Sequence, residues 1–251
     1  MKKITARLIP ALFAVMILAG TVRSAFAIPS LQLDILGGTY DSSTQTIVSS
    51  SPSFKLYAYL IPDSKALLTD TYFISVAMTP QIGPVGVDVG SFQLNGNTVL
   101  ATADMVYGTP PIDSYTQASD PGDLSTHSIY PTYFQQYAFN FDSNDRTTGY
   151  DTQINTGVGP TPNSSGEMYF HEFDVDTTSL AAPYSVHFDL YSTQSGNNAA
   201  SDTDINQFAP FSHDAESCIN CRSTSVPEPT TMLLVGAGML GMVVYRRKLL
   251  A

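Results

Sequence analysis

The sequence predicts an all-β protein, an antiparallel sandwich of jelly-roll or immunoglobulin-like type. Apolar/polar alternation recurs along the chain at the two-residue period of strands. Helical periodicity is almost absent between the two ends. The composition between the ends is low in charge and rich in Ser, Thr, Tyr, Asn and Gly, which suits strands and turns.

In chain order, Leu31-Gln32-Leu33-Asp34-Ile35 alternates cleanly. Phe54 to Leu60 reads as a strand closed by Pro62-Asp63, and Tyr72 to Met78 as one closed by Pro80. Val85 to Leu94 reads as a Gly-interrupted strand pair or one bulged strand. Asn95-Gly96-Asn97 is a hairpin turn leading into a strand over Thr98 to Val106. Tyr133 to Phe141 alternates aromatic and polar residues, and Met168 to Val175 is a further strand. Ser185 to Tyr191 places Val186, Phe188 and Leu190 on one face. These make eight or so strands. Gly108 to Pro131 and Thr147 to Gly166 read as long loops, functional or mere spacers, and Ser192 to Asn206 as a third polar stretch.

The two ends differ from this middle. Met1-Lys2-Lys3 and Arg7 form a basic n-region before the apolar stretch Leu8 to Gly20, and Ala25-Phe26-Ala27 is a small-x-small cleavage site for signal peptidase. No Cys follows, which argues against a lipoprotein signal. At the other end stand Val226-Pro227-Glu228-Pro229, an uncharged apolar run from Thr230 to Val244, and Tyr245-Arg246-Arg247-Lys248. The run is shorter than the roughly 20 residues usual for a spanning helix, but a short helix inserts when its flanks snorkel or the bilayer thins. Arg246, Arg247 and Lys248 would hold the cytoplasmic side. Gly236 to Gly241 spells G-x-G-x-x-G, but no strand precedes it and no acidic residue follows, so a dinucleotide site is rejected.

This tail resembles the PEP-CTERM sorting signal of Gram-negative bacteria, through Pro227, Glu228, Pro229, the apolar segment, Arg246 and Arg247. The resemblance implies processing by an exosortase and a route from an inner-membrane-anchored precursor to the cell surface or extracellular matrix. The resulting organisation is a signal peptide (1–27), an extracellular β-sandwich (28–215), a linker with a Cys pair (216–226) and the sorting signal with its transmembrane helix (227–251).

Charge narrows the partners. The chain has 11 Lys and Arg against 22 Asp and Glu, a net charge of −11. From Ala66 to Cys221, Arg146 is the sole Lys or Arg. Such a surface repels phosphate backbones, which argues against nucleic acid, and it attracts cations.

Chemical motifs are sparse. His171-Glu172 lacks the second His of a zinc helix, since Val175 stands there, and in a strand the two residues point to opposite faces. His187 and Asp189 share the polar face of their strand and read as a solvated pair. The calcium candidates are Asp142 with Asn144, and Asp202 with Asp204; Asp174 and Asp176 are a further pair. An EF-hand loop from Asp202 fails, because Gln207 and His213 stand where Gly and Glu are required. The competing reading of these aspartates is as turn residues. Cys218 and Cys221 predict a small local disulfide in an oxidising envelope, or a cross-link to another thiol. No nucleophile elbow and no conspicuous Ser/His/Asp arrangement is present, so no catalytic residue and no cofactor is assigned.

Leu31 to Asp41 and Phe208 to Ala215 are similar to segments of the choice-of-anchor N family, extracellular domains of unknown activity fitted with different anchors. The sequence therefore reads as a secreted, exosortase-sorted surface or matrix protein, non-enzymatic, with a structural or adhesive role in exopolysaccharide or biofilm and glycan or ion binding through loops. The alternatives are an extracellular enzyme acting on polysaccharide, which requires carboxylates clustered in a cleft, and a carbohydrate-binding module, which requires a row of exposed tyrosines.

Overall fold

A computed structural model of the protein describes residues 28–49, 51–110, 130–195 and 203–217. Among them fourteen strands form two sheets, accompanied by one 3₁₀ turn, Phe211–His213. The first sheet contains β1 (Leu31–Ile35), β4 (Ser53–Leu60), β6 (Ser91–Leu94), β7 (Asn97–Leu100), β10 (Arg146–Thr147) and β11 (Met168–Asp176). Its order is β1-β4-β11-β6-β7, with β10 beside β11. The second contains β2 (Thr39–Asp41), β3 (Thr46–Ser49), β5 (Tyr72–Thr79), β8 (Val106–Gly108), β9 (Thr132–Phe139), β12 (Ser185–Ser195), β13 (Thr203–Phe208) and β14 (Asp214–Ser217). Its order is β2-β3-β14-β12-β5-β9-β8, with β13 beside β12.

The core lies between the sheets. Leu31, Leu33, Ile35, Leu56, Ala58 and Leu60 from the first sheet meet Ile74, Val76, Met78, Val186, Phe188 and Leu190 from the second, all buried. Alternation aims these residues inward, and each large one contributes roughly 1.5–3 kcal/mol by leaving water. Phe54 meets Phe188 edge-on across the interlayer space, with centroids 6.1 Å apart.

The Asn95-Gly96 turn forms as the residues predict. Asn95 (φ 50°) and Gly96 (φ 77°) both adopt positive φ, and Leu94 pairs with Asn97 across a two-residue loop. Both positive angles belong to the hairpin turn whose twist matches its strands.

Several expectations need correction. The strands number more than eight, because β2, β3, β8, β10 and β14 have four residues or fewer and are too short to show alternation. The strand expected over Thr98 to Val106 ends at Leu100. There the Asp104 carboxylate accepts the Leu100 N–H, and the Asp104 N–H donates to the Leu100 carbonyl, closing a turn before β8. Val85 to Val89 is not strand; pairing begins with an isolated bridge at Gly90. The polar stretch from Ser192 holds the end of β12 and, farther on, β13, paired through a bulge at Ser192/Thr193. The sandwich is also not purely antiparallel, since β3 and the terminal β14 pair in parallel. That joins the two ends of the domain, and β14 runs two residues past Ala215 to Ser217.

The 147–166 segment is a loop, as expected, but it is no spacer. It packs on the outer face of the first sheet. Gln32 binds it with both ends of its amide, donating to the Tyr150 carbonyl (3.1 Å) and accepting from the Thr152 N–H (2.9 Å). Tyr57, Tyr59 and Met168 form a second small core with Tyr150, Phe170 and Ile61. β1 is therefore buried on both faces.

Candidate functional site

The strongest convergence of ionisable groups sits on the outer face of the second sheet. Alternation along β12 sends Val186, Phe188 and Leu190 inward and His187 and Asp189 outward. In β14, Ala215 faces the core and Asp214 and Glu216 face out beside them, with His187 paired to Glu216 and Phe188 to Ala215. His187 Nε2 lies 3.3 Å from Asp189 Oδ1 and 3.9 Å from Asp214 Oδ2, while Nδ1 lies 3.9 Å from Glu216 Oε2. One donor atom each from His187, Asp189 and Asp214 fit within 4.8 Å of one another.

The expected solvated pair is instead buried. Asp189 has no exposed surface, and the His187 side chain is 15% exposed. Burial pulls the imidazole pKa down, but Asp189, Glu216 and Asp214 together outweigh it and hold His187 well above its ordinary value. A hollow of about 380 Å³ opens onto the cluster, lined by His187, Asp214 and Glu216 together with Tyr130, Phe211 and Thr46.

A second polar line links the 147–166 loop to the 3₁₀ turn. Ser212 Oγ and His213 Nδ1 share a hydrogen bond at 2.8 Å, and His213 Nε2 meets Asp151 Oδ1 at 3.2 Å. This is a Ser/His/Asp arrangement that the sequence did not disclose, because Asp151 is 62 positions from His213. Burial lowers the His213 pKa against the pull of Asp151. Asp151 Oδ1 also accepts the N–H groups of Gln153 and Ile154, so the line clasps the loop to the sandwich. None of the three residues lines the hollow beside His187.

On the first sheet, Asp34 is buried beneath the loop. Its carboxylate accepts the N–H groups of Gly157 (2.8 Å) and Gly159 (3.4 Å). Burial outweighs these bonds and raises its pKa to about 6. Gly157 has φ +78°, and a Cβ there would lie 2.5 Å from the Gly38 carbonyl oxygen, so only glycine fits. Farther along that face, Lys55 pairs with Glu172 and Asp174, and the Tyr57 hydroxyl donates to Glu172. Hydrogen bonds from Lys55 and then Tyr57 hold Glu172 below its ordinary value. Lys55 and Asp174 also line a shallow hollow of about 510 Å³.

The remaining sequence candidates divide as follows. His171 and Glu172 do point to opposite faces. His171 packs against Phe139 and Phe173, and burial lowers its pKa. Asp142 Oδ1 accepts both the backbone and side-chain N–H of Asn144, the behaviour of a turn residue. Asp176 likewise caps Thr178, and Asp174 faces Lys55 rather than Asp176. Asp204 lies in β13, paired with Gln194. Asp202, Ala25, Ala27, Cys218, Cys221, Pro227, Glu228, Pro229, Arg246 and Arg247 lie outside the described residues. Among the described residues no helix is long and apolar enough to cross a membrane, and the Thr230–Val244 segment falls outside them.

Residues 225–248 match the PEP-CTERM protein-sorting motif. The match implies an exported, membrane-anchored precursor, sorted by an exosortase in a Gram-negative bacterium. No curated protein matches the chain. Among solved structures it is similar to one described as BspA_C_mut, at 9% identity and a TM-score of 0.24, over 76% of this chain and 50% of that one. The chain thus spans half the length of that structure.

Proposed function

We propose that the protein is a non-enzymatic, exosortase-sorted component of the cell surface or extracellular matrix, with a structural or adhesive role in exopolysaccharide or biofilm. The supporting observation is the order of parts: a sandwich whose last strand ends at Ser217, followed by a sorting motif over 225–248. The net charge of −11 favours cationic groups and ions as ligands. The similarity of Leu31 to Asp41 and Phe208 to Ala215 to choice-of-anchor N domains supports the same reading of an exported unit joined to an anchor. Signal peptidase, acting after Ala27, and the exosortase, acting near Pro227-Glu228-Pro229, are the processing partners.

The alternatives fare unequally. A carbohydrate-binding module requires a row of exposed tyrosines, and every tyrosine among the described residues is buried or half-buried. An enzyme acting on polysaccharide requires carboxylates clustered in a cleft, and it is favoured by Asp214 and Glu216 lining the hollow beside His187 and by the Ser212–His213–Asp151 line.

Intact mass of the native protein, taken separately from membrane and extracellular fractions, tests the proposal. A released form lacking roughly the last 25 residues, with the full tail confined to membranes, supports exosortase sorting. A full-length tail in every fraction would overturn it and leave a membrane-anchored envelope domain.

A further inference from the structure

We infer that His187, Asp189 and Asp214 form a binding site for one divalent transition-metal ion, zinc being the best fit, with Ser75 as an adjacent oxygen donor. Ligand atoms about 2.0–2.2 Å from a shared ion stand roughly 3–4 Å apart. The 3.3 Å and 3.9 Å separations from His187 Nε2 fall in that range, and the whole donor set closes within 4.8 Å. Two carboxylates this close to one another favour a cation between them.

Three further observations point the same way. First, the imidazole is oriented as metal-bound histidines are, with Nε2 facing the two aspartates and Nδ1 facing the Glu216 carboxylate. A carboxylate behind the second nitrogen fixes the tautomer and raises ligand basicity. Second, Ser75 is fully buried on β5, paired directly with Asp189, and its hydroxyl lacks a hydrogen-bond partner. Paired residues share a face, so the hydroxyl stands beside Asp189. A buried hydroxyl of this kind is costly unless something satisfies it. Third, the hollow lined by His187 and Asp214 gives an ion a way in.

The donor chemistry selects the ion. Calcium takes six to eight oxygen ligands, and an imidazole is foreign to that set. One nitrogen and two carboxylates suit zinc and its first-row neighbours. The site would join β12 to β14, the strand that closes the sandwich ahead of the sorting motif.

The test uses the full-length chain, purified in detergent without chelator, dialysed against zinc chloride and then freed of loose metal. The expected result is one zinc per chain by elemental analysis, and a melting temperature raised by roughly 5–10 °C over the chelated form at a hundredfold excess of zinc over Kd. His187→Gln and Asp214→Asn abolish this binding. Glu216→Gln, which leaves the ligands in place, weakens zinc binding about 10–100-fold without moving the melt in chelator. A Cys218→Ser, Cys221→Ser double variant keeps its zinc. The inference is overturned if zinc is absent, if it is lost with the cysteines, or if either His187→Gln or Asp214→Asn binds it as the parent does.

Discussion

Beneath the outer face of the first sheet a single buried acid, Asp34, is held by the peptide N–H groups of Gly157 and Gly159. On the outer face of the second, Asp189 and Asp214 gather around one imidazole. Both arrangements bury carboxylates, but the first spends its oxygens on the chain that covers it. The second aims several donors at a common point beside a hollow. Buried acid alone is therefore not a site; what matters is whether several donors converge on one accessible point.

The largest effect should come from breaking the cover of the first sheet. Gly157→Ala forces an L residue into positive φ and drives its Cβ against the Gly38 carbonyl. Urea denaturation should show a loss of about 2–4 kcal/mol. Zinc binding at the second sheet should persist wherever the variant is folded, which separates the two faces.

Next in size is the pH response of Asp34, whose pKa rises from 3.8 to about 6 on folding. The folded chain holds this proton more tightly than the unfolded one. Its contribution to stability is therefore full below about pH 4 and is lost as pH rises through about 6, a change on the order of 3 kcal/mol. Asp34→Asn should remove that slope in denaturation curves taken from pH 4 to 7.

His187 should report the second face in a different window. Its pKa is raised on folding, so its contribution is complete below about 6.5 and is lost as pH rises through the higher folded value. Chelated protein should lose stability in that range, and His187→Gln should lack the loss. Saturating zinc, which requires the neutral imidazole, should remove it as well.

A smaller effect is expected from Tyr150→Phe. It deletes the hydroxyl that donates to Tyr59 within the second small core, at about 1 kcal/mol in the same denaturation assay. The smallest belongs to Lys55→Met. Its pairs with Glu172 and Asp174 are solvent-exposed, and the melting temperature should not move measurably.

The strands that could be read from the residues were those long enough to alternate. Leu31–Ile35, Ser53–Leu60, Tyr72–Thr79 and Met168–Asp176 all fall within a residue of their predicted bounds. β2, β3 and β14 escaped notice because three or four residues carry no period, and the pairing of β3 with β14 joins segments more than 160 positions apart. His187 and Asp189 were visible as a pair on one face. Their partners were not, because Asp214 and Glu216 reach them only through strand register. A signal did exist: Asp214-Ala215-Glu216 alternates just as His187-Phe188-Asp189 does.

Local sequence by itself determined the all-β class, the Asn95-Gly96 hairpin, the inward set of β12 and the sorting signal at the C-terminus. Each depends on neighbouring residues and on a period or motif that survives in any fold. Tertiary structure alone decided that the 147–166 segment covers a sheet, that β3 and β14 pair in parallel, and that three carboxylates surround one histidine. Those outcomes depend on register between distant strands, where a shift of one residue would turn every side chain to the other face.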